Sequence, residues 1–439
     1  MDGKMDKKGK WLSEKMSFLK GETIGEKIEG INCFPRLAAF LGPVKTTEIL
    51  IPLIVSIVDE DEALIESFSK IIEDIPEIFD SEDFNANYVC KIGNLCFSDN
   101  NLIRSRSVKS ILKILDKSGK AGNESFAQQI LFVYDKNDAP IIKIAMCEMA
   151  PKLHRKIVKF QIDSVKIDVY DIFSFCCQHD DSSVRKHSIL TIDGFLDELK
   201  EYDDFVSKFE KLLFDSCDLV QMAAIEVFRD ILAILMNTQN AEKWSEFAKI
   251  KIESLIKSDS WRIRRKVCDN FCRWTRLLSN FDIKNFVIKS FLDFSDDAEN
   301  EVVFSAASNI VNFAKFVDDK QVEKEFLGAF KNIVAIGHKD TLIAAVANLS
   351  ALLKLVSADF SKNDCEEIFQ TILNLEDEIS IVFIMNLDKL ENFSLIEDFA
   401  TKLNTKFLDL LKNPNWRIRM KAAQYLCEFL KILVFDFSQ

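Results

Sequence analysis

Glycine and proline are scarce in this chain, with only 12 and 7 residues among 439. β-Sandwiches and loop-rich α/β enzymes need many turns built on these two residues, so their scarcity disfavours both fold classes. Long apolar runs are missing too, and without a run of about 18 such residues no membrane-spanning helix is predicted. The first ten residues, MDGKMDKKGK, are lysine-rich but precede no apolar segment. No secretory signal is therefore predicted.

Positive charge is also in short supply, since 57 basic residues face 70 acidic ones and the net charge is −13. Nucleic acid is disfavoured as the main partner, because phosphate-binding proteins usually carry a basic field. Several of the eleven cysteines lie in apolar helical stretches, as do Cys96, Cys147, Cys217 and Cys427. Free buried thiols in a reducing compartment are the simplest interpretation. They favour a cytoplasmic location, with the nucleus as a second location.

Catalytic motifs are absent from the sequence. It has no glycine-rich phosphate loop, no G-x-S-x-G and no H-E-x-x-H. Histidine is rare, and one cluster is worth weighing as a metal site: Cys176, Cys177, His179 and His187. Adjacent cysteines point apart on a helix and no second paired motif completes four ligands, so packing is the preferred interpretation. We predict a chain that is not an enzyme and that holds no metal or cofactor.

The strongest pattern is an internal repeat of about 39 residues, close to the period of HEAT and armadillo units. Each repeat is anchored by an apolar residue that follows a polar turn. The anchors are Ile24, Ala63, Ile103, Ile141, Val184, Val220, Ile263, Val302, Leu342, Ile379 and Ile418. Irregularly placed helices would not keep this register over about eleven units.

Every repeat has the same internal plan: a helix, an acidic or polar turn, and a second apolar helix. In the third repeat Val108, Ile111, Leu112 and Leu115 follow helical spacing. Asp, Ser and Asn before the second helices can accept hydrogen bonds from free N–H groups, and alanines within them suit close packing of neighbours. The predicted fold is an all-α solenoid, a superhelix of about eleven repeats over residues 11–439. Residues 1–10 form a short polar segment before it.

Two nearly identical phrases carry a resemblance to a known family: SDSWRIRRKVCDNF from Ser258 and NPNWRIRMKAAQYL from Asn413. They resemble the seventh and eleventh HEAT repeats of the scaffold (A-type regulatory) subunits of protein phosphatase 2A. The run ILIPLIVSIVDEDEALIESF resembles the second repeat of that family, and HDDSSVRKHSIL resembles the fifth. The likeness is collinear over about residues 11–435.

The resemblance implies a non-catalytic scaffold that holds a regulatory and a catalytic phosphatase subunit on the ridge formed by its intra-repeat turns. The residues implied to bind the regulatory subunit are Asp59, Glu60, Asp61, Glu62, Arg104, Asp180, Asp181, Arg185, Lys186, Ser260, Trp261 and Arg262. Those implied to bind the catalytic subunit are Trp416, Arg417 and Arg419. Lys186 and His187 stand where the family usually has an Arg-Ala pair, so a bidentate contact is lost there.

Alternatives remain open for both the residues and the function. Each tryptophan can pack on its own first helix, and Arg185, Arg264 and Arg419 can form a ladder of salt bridges between adjacent turns. The alternative function is a HEAT-repeat transport receptor or adaptor that wraps an unrelated protein cargo. An enzyme with appended repeats is disfavoured, because no segment outside the repeats is left over.

The end of the sequence carries a further expectation. Family scaffolds continue beyond the eleventh repeat, whereas this sequence stops soon after it, so it is expected to be a fragment or to be capped by something else. Its last helix places Ala423, Leu426 and Leu430 on one face, with Phe429 adding apolar surface. A terminal repeat usually has a polar outer face. We therefore expect binding of a regulatory subunit, weak or no binding of a catalytic subunit, and self-association through the C-terminal repeat.

Overall fold

A computed structural model describes residues 2–58, 60–72, 93, 95–98, 100–117, 119–165, 168–192, 202–278, 282–356, 362–386 and 397–436. Within these ranges the chain forms helices and turns and no β-strand. It divides into two compact units, Met1–Ala224 and Ile225–Gln439. The predicted all-α class is confirmed.

The helices of the first unit are α1 Asp2–Phe18, α2 Ile24–Asn32, α3 Phe34–Lys45, α4 Ile51–Val58, α5 Glu62–Ile72, α6 Asn101–Lys117, α7 Lys120–Lys136, α8 Pro140–Phe160, α9 Val169–Cys176, α10 Ser182–Leu190 and α11 Tyr202–Leu213. Helix α12, Asp218–Met236, crosses the boundary between the units. A wider π-turn, Thr46–Leu50, joins α3 to α4. Helix α1 includes residues 2–10, and the predicted start of the array at residue 11 stays a prediction.

The helices of the second unit are α13 Ala241–Ile256, α14 Trp261–Thr275, α15 Ile283–Ser295, α16 Asn300–Ala314, α17 Asp319–Gln321, α18 Leu327–Ile336, α19 Lys339–Leu353, α20 Lys362–Leu373, α21 Asp377–Ile384, α22 Glu397–Leu411 and α23 Trp416–Asp436. A second π-turn, Val322–Phe326, precedes α18. No helix in the described part of the chain is both long enough and apolar enough to cross a bilayer.

The predicted repeat register is confirmed with two local corrections. All the predicted anchors lie in the first four residues of a helix. However, Ala63 is exposed and Ile141 is only half-buried, and the residues that enter the core are Leu64 and Ile142. Ile142 lies five residues after the turn residue Asn137, as Ile263 does after Ser258. In the first repeat, Ile24 is exposed.

Helix α14 shows how the second helices join the core. Ile263, Val267, Phe271 and Trp274 recur at helical spacing and are fully buried, whereas Arg273 faces solvent. The Phe271 ring stacks on Phe313 of α16 at 5.0 Å between centroids. Burying each large apolar side chain stabilises the fold by about 1.5–3 kcal/mol. The stacked aromatic contacts therefore hold consecutive second helices together.

Alanines sit where second helices approach most closely, as predicted. Ala306 and Ala307 of α16 and Ala345 of α19 are fully buried. The approach is close enough for the Asn348 side-chain amide of α19 to donate to the Ala307 carbonyl of α16 at 3.3 Å. Ala423 is an exception, because it is exposed on α23.

The thiols are free in the described residues, but two of them are less buried than predicted. Cys96 and Cys147 are buried. Cys217 is half-buried because it lies in the turn just before α12, and Cys427 is exposed because it faces outward from α23. Phe429 corrects the prediction in the opposite direction: it is buried and stacks on Phe407 at 3.9 Å, so it adds no outer apolar surface.

Candidate functional site: the turns between paired helices

The turn between the two helices of a repeat is held by its first polar side chain. This side chain accepts the backbone N–H two residues later: Asp215 accepts from Cys217 at 2.9 Å, and Asn413 accepts from Asn415 at 2.8 Å. His179 does the same through Nδ1, which accepts the Asp181 N–H at 3.0 Å. Different residue types therefore build the same turn, because each offers one acceptor at the same place.

A second polar residue then caps the following helix in several repeats. Asp61 accepts the Ala63 N–H at 2.8 Å, Asp181 accepts the Ser183 N–H at 2.7 Å, and Asn415 accepts the Arg417 N–H at 3.0 Å. These bonds satisfy N–H groups that the helix itself leaves without a partner. The predicted capping role of the polar turns is confirmed at these three positions.

The sixth residue after the first turn residue closes the turn from inside. The Nη1 atom of Arg185 donates to the carbonyls of His179 and Asp180 at 2.8 Å. Equivalent guanidinium-to-carbonyl bonds of 2.6–3.1 Å recur in three other repeats. They are made by Arg104 to Ser98, by Arg264 to Ser258 and Asp259, and by Arg419 to Asn413 and Pro414. In the repeat of α12 a neutral Gln221 fills this position and donates to the Asp215 carbonyl.

Two of these arginines also bind the turn of the next repeat. Arg185 grips Asp215 through Nε and Nη2, at 2.7 and 2.8 Å. Arg264 grips Asp297 at the same two distances. These hydrogen bonds to the aspartates are the main reason why the pKa values of both arginines are raised. The side chains are at most 16% exposed, so these are largely desolvated, bidentate pairs.

Other ion pairs join neighbouring repeats, and their carboxylates are more exposed than those of Asp215 and Asp297. Lys27 forms an ion pair with Glu60 in the first unit, and Lys339 pairs with Glu378 in the second. The Asn413 amide donates to Asp377 at 2.5 Å. A salt-bridge ladder between adjacent turns, one of the two alternatives for the arginines, is therefore present at Arg185 and Arg264.

The two Trp-Arg pairs present a different surface. Trp261 is half-buried and Arg262 is exposed, with the guanidinium carbon 4.9 Å from the centre of the indole ring. Trp416 is 58% exposed, and Arg417 lies 5.7 Å from its ring centre. Such cation–π contacts contribute about 0.5–1 kcal/mol at exposed sites. Each pair forms a flat, partly apolar and positively charged surface at the start of a second helix.

The remaining predicted site residues are divided between surface and interior. Three of them are exposed: Glu60, Glu62 and Asp180. Four are half-buried: Asp61, Asp181, Lys186 and Ser260. Asp59 lies outside the described residues. Arg104 is only 6% exposed, with its guanidinium inside its own turn. Arg419 faces solvent in part, but its guanidinium is bonded to its own turn.

Asp215 and Asp297 were missed by the sequence reasoning. They accept the paired hydrogen bonds of Arg185 and Arg264, and each such bidentate pair is called a fork below. In the sequence, neither aspartate differs from the other acidic turn residues. A usable signal was present, because arginine stands six residues after the first turn residue in four repeats, at positions 104, 185, 264 and 419. Acidic residues that begin the turn after such an arginine are the natural partners.

The cysteine–histidine cluster, for which packing was the preferred interpretation, is not arranged to hold a metal ion. Cys176 and Cys177 are buried, His179 Nδ1 accepts a backbone N–H, and His187 Nδ1 lies 2.8 Å from the Ser183 carbonyl oxygen. Among the described residues, no group of three or more His, Cys, Asp or Glu side chains is arranged to hold a metal ion.

These features define the class of protein as an all-α solenoid of stacked helix pairs with HEAT-type repeats. The HEAT repeat family model matches residues 403–433, which cover most of α22 and α23 and the Trp416 turn between them. The chain is 23% identical over 268 residues to the A-type regulatory subunit of protein phosphatase PP2A from Saccharomyces cerevisiae. It is 19% identical over 270 residues to the protein of the same name from Schizosaccharomyces pombe. The predicted resemblance to the phosphatase 2A scaffold is thereby confirmed.

The extent of these matches is limited. They cover 58% and 61% of this chain but only 41% and 45% of the relatives, so the match spans less than half the length of either relative. Among solved structures, Kap95p, from a study of its binding to RanGDP, matches with a TM-score of 0.66 at 11% identity over 98% of this chain and 60% of that chain. Importin beta matches with a TM-score of 0.64 at 12% identity, over 96% and 57%. At these identities the structural matches describe the fold alone.

Proposed function

We propose that this chain is a non-catalytic scaffold of a phosphatase 2A-type serine/threonine phosphatase. A regulatory subunit would bind the turns that contain Glu60–Glu62, Asp180–Lys186 and Ser260–Arg262. A catalytic subunit would bind only weakly, or not at all, at the turn that contains Trp416 and Arg417. The proposal includes a cytoplasmic location, with the nucleus as a second location.

The observation that carries this proposal is the outward Trp-Arg pair on a fixed turn. Trp and Arg are the residues that most often dominate binding energy at protein interfaces. Here the pair at Trp261 sits beside the Arg264–Asp297 fork, which holds the turn in place. A surface that is already ordered loses less conformational entropy when a partner binds. The similarity to the A-type PP2A regulatory subunits of two yeasts supports a phosphatase as the assembly.

The first test measures binding of purified regulatory subunits to the whole chain and to Trp261→Ala. If Trp261 is a binding hot spot, the substitution weakens binding by about 2 kcal/mol, or about 30-fold. Phe132→Ala is the matched control, because it removes an aromatic side chain that is 65% exposed on α7. A large fall in melting temperature with unchanged affinity for Trp261→Ala would show instead that this tryptophan acts in packing.

The second test addresses binding of the catalytic subunit, together with the expected lack of enzymatic activity. The chain should bind a catalytic subunit weakly or not at all, and tight binding that Trp416→Ala abolishes would contradict this expectation. Purified chain alone should not dephosphorylate a phosphopeptide. Turnover that survives an inhibitor of phosphatase catalytic subunits would contradict the non-catalytic assignment.

Self-association forms part of the proposal, through the outer face of α23. Leu430 is 50% exposed there, Ala423 is exposed and Leu426 is half-buried. Leu430→Glu should reduce the mass measured by light scattering at high protein concentration. An unchanged mass distribution would exclude this face as the contact.

Capture from a cell lysate separates the scaffold from the alternative function. Recovery of phosphatase subunits supports the scaffold. Recovery of a cargo protein together with a small GTPase, and of no phosphatase, would favour a transport receptor.

A further inference from the structure

The turn between α9 and α10 is built on a histidine. His179 Nδ1 accepts the Asp181 N–H at 3.0 Å, which is the bond that the first turn residue makes in other repeats. There the acceptor is a side-chain oxygen, and Asn137, Ser258 and Asn413 accept the N–H two residues later at 2.9, 3.3 and 2.8 Å. An amide or hydroxyl oxygen remains an acceptor throughout the neutral and mildly acidic range, whereas the histidine side chain changes its charge between about pH 5 and 8.

Uptake of a second proton removes the acceptor at His179. The Asp181 N–H can bond only to a nitrogen with a free lone pair, so the hydrogen bond assigns the ring proton to Nε2. When the ring gains its second proton, Nδ1 becomes an N–H that faces the Asp181 N–H, donor against donor. The turn then loses this bond.

Charged groups lie within one or two contacts of the His179 ring in the described part of the chain. They belong to its own turn, to α10, to the turn before α12, and to the repeat of α8, whose lysine lies over the Phe175 ring that touches the imidazole. They are Asp180, Asp181, Arg185, Asp215, Lys143 and Asp138. These charges set the pH at which the ring gains its second proton. Whatever that pH is, the doubly protonated ring cannot accept the Asp181 N–H.

The histidine turn is coupled to the next repeat through Arg185. The Nη1 atom of Arg185 donates to the carbonyls of His179 and Asp180 at 2.8 Å. The same guanidinium holds Asp215 of the following turn through Nε and Nη2. Opening of the turn at His179 moves the carbonyls that orient the guanidinium, so the fork to Asp215 loosens with it.

We propose that His179 makes this link between two repeats sensitive to pH. The α9–α10 turn and its fork to Asp215 are held near neutral pH and loosen when His179 gains its second proton. The switch belongs to the chain itself and does not depend on the proposed phosphatase contacts.

Hydrogen exchange resolved to single amides tests this switch at the Asp181 N–H, at pH 7.5 and pH 5.0. Protection is expressed relative to the intrinsic exchange rate at each pH, so that the direct effect of pH on exchange cancels. In the parent chain, protection of this amide should fall about three- to tenfold at pH 5.0, as expected for loss of one hydrogen bond. His179→Asn should stay protected at both pH values, because Asn137 and Asn413 make the same bond. His179→Lys offers only donors and should be poorly protected at both.

The matched control is the second histidine of the same repeat, His187. Its Nδ1 lies 2.8 Å from the Ser183 carbonyl oxygen, and because a carbonyl oxygen can only accept, this nitrogen donates in either charge state. His187→Gln should therefore keep the pH response at Asp181. The Asn415 N–H, which bonds to the Asn413 side chain, should be equally protected at both pH values.

Circular dichroism melts verify that each variant is folded at both pH values. Protection of the Asp181 N–H that is the same at pH 7.5 and pH 5.0 in the parent chain would overturn the proposal. So would an equal fall in His179→Asn, or loss of the pH response in His187→Gln.

Discussion

Removing the Arg264 guanidinium should loosen two neighbouring turns at once. Its four hydrogen bonds go to Asp297 in the next turn and to the Ser258 and Asp259 carbonyls in its own turn. Breaking a buried pair by deleting one partner costs about 3–5 kcal/mol. Here the arginine and aspartate side chains are 16% and 9% exposed. Since water can partly solvate the abandoned carboxylate, we expect Arg264→Ala to cost about 2–3 kcal/mol.

Native-state hydrogen exchange measured by mass spectrometry is the suitable assay. Stacked repeats open locally, so one free energy for the whole chain is not well defined. Amides in the turns around residues 257–260 and 296–299 should exchange about 30- to 160-fold faster in Arg264→Ala, by direct conversion of the expected energy. Arg265→Ala is the control, because it removes the neighbouring guanidinium, and it should leave both turns nearly unchanged.

A double-mutant cycle with Asp297→Ala isolates the fork itself. We expect a coupling of about 1–2 kcal/mol between the two residues. Arg264→Lys should recover only part of the protection, since one ammonium cannot reproduce the two parallel bonds. Additive effects within about 0.3 kcal/mol, or exchange unchanged in the turn around residues 296–299, would refute the assignment of the fork as a link between repeats.

Three further outcomes follow from the described contacts. Phe271→Ala should lower the free energy of local opening of α14 and α16 by about 3–5 kcal/mol, measured by hydrogen exchange, and a loss below about 1 kcal/mol would contradict its central place in the aromatic stack. Alkylation at pH 8 should label the exposed Cys427 well before Cys272, because burial raises the pKa of Cys272 to about 12. Equal labelling rates would show that the Cys272 thiol is accessible. Burial opposes ionisation of Asp116, but hydrogen bonds from two lysines outweigh it and lower its pKa. The stabilisation by Asp116 should therefore be present above its unfolded pKa, near pH 4, and be lost as pH falls through its lower folded pKa. Asp116→Asn removes this one contribution, so the fall in melting temperature between pH 5 and pH 2.5 should be smaller in the variant than in the parent chain.

The helix pairs could be predicted from sequence because their signals are local and redundant. A polar turn, a capping residue and an apolar stripe all mark the same boundary, as at Asp181 before Val184. The predicted anchor was one residue too early where two apolar residues are adjacent, at Ala63–Leu64 and at Ile141–Ile142. Apolar character alone cannot choose between adjacent residues, whereas the fixed distance from the first turn residue can.

The arginines of the turns could not be assigned in the same way. An arginine at the start of a helix can serve a partner or its own chain, because both uses need donors on a long side chain. The choice depends on an acceptor about 30 residues away, such as Asp215 for Arg185, and on carbonyls whose direction follows from the folded turn. Local pattern carries neither kind of information.

The repeated phrase Trp-Arg-Ile-Arg combines these uses within four residues. Successive side chains are about 100° apart around a helix, so Arg262 and Arg264 point about 200° apart. Ile263 is buried between them, Arg264 turns inward to the fork, and Arg262 lies outside against the Trp261 ring. Substitution at Arg262 should therefore change partner affinity and leave hydrogen exchange of the turns unaltered. Substitution at Arg264 should change hydrogen exchange of the turns more than it changes partner affinity. If both substitutions altered both measurements equally, the binding surface and the link between repeats would be one structure rather than two.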